Sequence, residues 1–92
     1  MLKKGMLIQV KTTTKDNVFG EVVYELEDIG MKTADGVNDG VRAVMLGGNG
    51  PCARKGVVIL DNERVINQNI KTGITKIIPD AKASSIRSFY NK

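Results

Sequence analysis

The residue types with chemistry to offer gather in Gly47-Gly48-Asn49-Gly50-Pro51-Cys52-Ala53-Arg54-Lys55-Gly56, between the apolar runs Val41–Leu46 and Val57–Leu60. Glycines let backbone amides converge on an anion, and two adjacent cations add charge to the same place. Gly48, Asn49, Gly50, Arg54 and Lys55 are therefore the candidate phosphate ligands, whether the phosphate belongs to a nucleic acid or to a small phosphorylated molecule. Lys11, Lys15 and Arg42 are the secondary basic contacts. Two named phosphate motifs do not apply. Gly48-Asn49-Gly50-Pro51-Cys52-Ala53 matches the dinucleotide fingerprint in letters, but that fingerprint works by opening a helix, and Val57–Leu60 reads as a strand. The Walker loop needs glycine before its lysine and a hydroxyl residue after it, and Lys55 has neither. Cys52 reads as a small packing residue; if it is exposed, Arg54 and Lys55 lower the pKa of its thiol.

What is missing restricts the chemistry further. The chain has no histidine and one cysteine, so triads, Cys-His dyads, imidazole zinc sites and four-cysteine zinc sites cannot be built. Carboxylates, lysines and tyrosines are left, and these need large pKa shifts to act as acids or bases at neutral pH. The expectation is a protein that is not an enzyme and has no cofactor. The acidic, glycine-punctuated stretch from Glu27 to Gly40 invites a calcium reading. Counted from Asp35, however, the third EF-hand position is Val37 and the twelfth is Leu46, so no metal is expected.

These residues need elements to position them. Met6 to Thr14 alternates, with Met6, Ile8 and Val10 on one face and Leu7, Gln9 and Lys11 on the other, as a half-buried strand does. Lys15-Asp16-Asn17 supplies a turn, and Val18 to Leu26 alternates again. Glu27 to Gly40 reads as a long loop because Gly30, Gly36 and Gly40 interrupt it. Val41–Leu46 and Val57–Leu60 are the third and fourth strands, rich in β-branched residues. Asp61 then reads as a helix N-cap, with Leu60 and Val65 forming a staple and Val65, Ile66 and Ile70 facing the core. Gly73 closes that helix. Ile74 to Ile78 is a last strand, and Asp80 caps a second helix whose apolar side is Ala83, Ile86, Phe89 and Tyr90. The sum is one α+β domain over 1–92, mainly β in 1–60 and helix-strand-helix in 61–92. Its form is a small, mostly antiparallel sheet or a partly open SH3-like barrel, with two short C-terminal helices and the fifth strand closing over it. A chain of 92 residues closes one hydrophobic core.

Gly5-Met6-Leu7-Ile8-Gln9-Val10-Lys11 through Asn17-Val18-Phe19-Gly20-Glu21-Val22-Val23-Tyr24-Glu25 resembles the first two strands of small SH3-like or Sm-like barrels. The resemblance spans residues 5–26 and implies that Gly20 lets a bent second strand serve two sheets. The chain as a whole is also similar to accessory proteins of bacterial viruses.

Function is expected from charge. The net charge is +4, with the acidic block Glu21, Glu25, Glu27, Asp28, Asp35 and Asp39 set between two basic stretches. A single cysteine points to a reducing cytoplasm, and the basic-then-apolar N-terminus reads as a first strand instead of a leader. No apolar run suits a membrane helix. The leading expectation is a non-catalytic domain contacting nucleic-acid phosphates through the Gly-rich loop. The alternatives are a protein-interaction or homo-oligomeric module, its acidic block meeting basic ends across an interface, and a binder of a small phosphorylated ligand at Gly47–Gly56.

Overall fold

The computed structural model describes residues 2–13, 18–34, 36–49 and 56–90. The elements in order are β1 (Leu7–Thr13), β2 (Val18–Lys32), β3 (Asn38–Gly48), β4 (Gly56–Asn62), α1 (Glu63–Thr72), β5 (Thr75–Ile77) and α2 (Asp80–Tyr90). All five strands belong to one sheet of order β4-β3-β2-β1-β5, and every pairing is antiparallel. The fold is α+β, and the sheet is open, with β4 and β5 as its edges. The fifth strand extends the sheet beside β1 instead of closing over it.

Side-chain alternation explains where the helices go. Ile8 stands opposite Tyr24 and Val10 opposite Val22, while Leu7 faces Glu25 and Gln9 faces Val23. Ile8, Val10 and Tyr24 of the first set join a core with Leu2, Leu26, Val41 and Ala43 that is covered by Ile66 and Ile70 of α1. The second joins Leu7 and Val23 to Ile78, Ala83, Ile86 and Tyr90, and so is covered by α2. Neighbours in sequence, Leu7 and Ile8 are 1% and 0% exposed on opposite faces of the sheet. The expectation of a half-buried first strand is thus corrected, because each face has its own helix. α1 leaves β4 at one edge and crosses the first face to β5 at the other.

The expected loop from Glu27 to Gly40 is mostly strand. β2 runs on to Lys32 and β3 starts at Asn38, so the connection shrinks to a turn. In that turn the Thr33 amide donates to the Val37 carbonyl and the Gly36 amide to the Thr33 carbonyl, both at 2.9 Å. Gly30, with φ of 79°, lies inside the register shift between Ile29 and Met31. Its left-handed backbone accommodates the extra residue of a bulge, a role that looks like loop punctuation in the sequence.

The cap of α1 also moves. β4 continues through Asn62, which takes the N-cap position in extended geometry with no side-chain cap bond, so Asp61 is not the cap. Gly73 closes the helix as expected, left-handed at φ of 85° with its amide donating to the Ile70 carbonyl. Ile66 is buried, but Val65 is 37% exposed and does not serve the core as expected. α2 begins at Asp80, held by the Lys82 and Ala83 amides, which donate to the Pro79 carbonyl. Arg87 ties α2 to the sheet, its Nε donating to Glu25 Oε1 at 2.6 Å and its Nη2 donating to the Gly5 carbonyl.

Candidate functional site

Of the expected phosphate ligands, Gly50, Arg54 and Lys55 lie outside the described residues, as do Lys15 and Cys52. Gly48 ends β3, and Asn49, just beyond it, is bonded back to β2. The Asn49 amide donates to the Glu21 carbonyl, and Asn49 Oδ1 accepts from the Glu21 amide, both at 2.9 Å. The Asn49 backbone amide is therefore not left for an anion. Gly48 sits at φ of 151°, and a Cβ there would collide with the Glu21 carbonyl oxygen. Gly20 is needed for the same approach from the other side, since its Cβ would strike Asn49. Glycine here serves close strand contact.

The secondary cations divide. Lys11 stands opposite Glu21, whose carboxylate also accepts from Gln9 Nε2, so Lys11, Gly48 and Asn49 gather around one glutamate. Arg42 is elsewhere on β3, with its Nη2 3.2 Å from Glu27 and 3.7 Å from Asp28. Its charge is matched within the fold.

The described surface offers a different site, a groove of about 550 Å³ between α2 and the β1–β5 edge. This lies within the size range of ligand-binding clefts. Its floor is Gln9, Val23 and Lys76, Ile78 and Pro79 close one end, and Lys82, Ser85, Ile86, Phe89 and Tyr90 form the wall. Tyr90 is fixed in place from below, because a Cβ on Gly47 would stand 2.7 Å from its ring. Phe89 meets Tyr90 edge to face, with centroids 5.0 Å apart and planes at 88°. Phe89 is nevertheless 64% exposed, against the expectation that it faces the core.

The helical period accounts for this. Ala83, Ile86 and Tyr90 follow i, i+3, i+7 spacing and meet the sheet, while Lys82, Ser85 and Phe89 repeat that spacing one position earlier and form the flank beside it. That second stripe was a readable signal. Reading all apolar residues of α2 as a single face concealed it.

Lys76 and Lys82 bracket the groove; among the described residues no carboxylate lines it, and neither lysine has a carboxylate within ion-pair distance. Among the described residues no group of three or more potential metal ligands converges, and no helix is long and apolar enough to cross a membrane. Comparison with known proteins returns no matching family model, no matching curated protein and no matching solved structure.

Proposed function

We propose that the chain is a non-catalytic binding module that holds a protein partner in the groove between α2 and the β1–β5 edge. The observation that carries this reading is Phe89, a large aromatic left 64% exposed at the mouth of that groove. Aromatic side chains concentrate at the buried centres of protein interfaces, and covering one stabilises a complex by about 1.5–3 kcal/mol. The absence of histidine from the sequence supports a binding role over a catalytic one.

The test is selection from a displayed random-peptide library on the wild type and on Ser85→Trp. Ser85 is exposed and lines the groove, so the indole fills the cleft without entering either core. Peptides kept by the wild type and lost by Ser85→Trp support the reading. No enrichment, or enrichment indifferent to Ser85→Trp, rejects it. The rival is a nucleic acid held by its phosphates, favoured by the net charge of +4 and by Arg54 and Lys55. It requires labelled single-stranded DNA or RNA to bind at low salt, to be released as salt rises, and to be lost in Arg54→Ala with Lys55→Ala.

A further inference from the structure

We infer that the groove takes an extended acidic segment of another protein, one that seats a bulky apolar side chain between flanking carboxylates. This rests on the protein-partner reading and deepens it by naming the partner's chemistry. The first support is the distribution of charge across the groove. Lys76 rises from the floor and Lys82 stands on the wall, with Val23, Ile78 and Ile86 between them. An occupant that satisfies both features places an apolar group centrally and negative charge to either side.

The second support concerns the supply of negative charge within this chain. Glu25 is bound to Arg87, Glu27 and Asp28 to Arg42, and Asp39 to Arg64. Asp28 also faces Lys4, and Glu21 accepts from Gln9. Of the acidic block, Glu25, Glu27, Asp28 and Asp39 thus face cations within the monomer, while Asp35 lies outside the described residues. A second copy would bring the same lysines to the groove, and two copies paired about Lys76 on β5 would set like charges face to face. Like-charge repulsion at this edge favours carboxylates supplied by a different chain.

The third support is the edge itself. β5 is the last strand of the sheet and pairs only with β1 among the described strands, so an extended segment can lie along it. Ile77, on that edge, is 44% exposed.

The experiment is an amide NMR titration with three blocked peptides of equal length. One carries Phe flanked by Asp and Glu, the second replaces Phe with Ser, and the third replaces the acids with Lys; oligouridylate is titrated in parallel. The acidic Phe peptide is expected to shift the amides of Val23, Lys76, Lys82, Ser85 and Phe89. The Ser peptide is expected to bind at least about tenfold more weakly, as loss of a buried aromatic requires. Lys76→Glu with Lys82→Glu is expected to transfer the preference to the Lys peptide. Lys76→Gln with Lys82→Gln, a milder change, is expected to erase the preference with about a tenfold loss for the acidic peptide. Equal binding of the acidic and basic Phe peptides overturns the acidic partner and leaves the protein-partner reading intact, as does a preference for the basic one. Binding of oligouridylate at these amides with no peptide bound overturns both, and so does a groove that binds none of the probes.

Discussion

Gly48 and Asn49 show how residue types that suggest a ligand site can instead meet a need of the backbone. Both amide and side chain of Asn49 close on the backbone of Glu21, and Gly48 leaves room for the Glu21 carbonyl. Gly48→Ala places a methyl against that carbonyl at a φ only glycine adopts readily, so it is expected to cost about 2–4 kcal/mol in urea unfolding. Asn49→Ala removes one hydrogen bond at an exposed position and is expected to cost about 1 kcal/mol. Groove occupancy should be unchanged in Asn49→Ala. A drop in peptide affinity with stability intact would return Asn49 to a binding role. Local sequence could not reveal this clamp, because Asn49 and Glu21 are distant in the chain and meet only through the register of β2 with β3.

Elements were legible where a single period governed them. The alternation of Met6 to Val10 and of Val18 to Leu26 gave β1 and β2 with their faces, and Gly73 gave the end of α1. The 27–40 stretch was misread because Gly30 and Gly40 look like breaks, whereas they sit at bulges that a long, twisted hairpin tolerates. Pairings between elements, such as Arg87 with Glu25, have no local signature at all. The two helices make opposite predictions for hydrophobic truncation. Ile66 is 5% exposed in the α1 core, so Ile66→Ala is expected to lower unfolding stability by about 2–5 kcal/mol. Phe89→Ala on α2, which gives up the edge-to-face contact with Tyr90, is expected to cost about 0.5–1.5 kcal/mol, yet to abolish selection of groove-binding peptides. If Phe89→Ala unfolds the protein as readily as Ile66→Ala, its ring is a packing residue and the groove loses its anchor.

At the scale of the molecule, the two faces of the sheet are not equally secured. α1 spans the sheet from β4 to β5 and joins a core that includes Ile8, Leu26, Val41 and Ala43, all at or below 1% exposure. α2 buries one of its residues fully, Ala83, and carries Ser84, Ser85 and Ser88, which hold a helix less firmly than alanine or leucine would. Among the described residues its links to the sheet include Ala83 and Ile86 packed with Leu7 and Val23, Tyr90 on Gly47, and the half-exposed Arg87–Glu25 pair, worth about 1 kcal/mol or less at such exposure. The layer that forms the groove wall is therefore expected to open before the rest. Native-state hydrogen exchange across a denaturant series measures this directly. Amides of Ile8, Leu26 and Ala43 should exchange only by global unfolding, with the full denaturant slope, while those of Ile86 to Tyr90 should exchange at lower free energy and with a small slope. An occupant bridging β5 and α2 clamps that layer, so saturation with a groove-binding peptide should raise the protection of α2 by RT ln(1 + [L]/Kd), up to the global limit. Identical slopes and free energies for both sets would mean that sheet and helices unfold as one unit. In that case the groove is a rigid cleft, and binding should raise α2 and the sheet core equally.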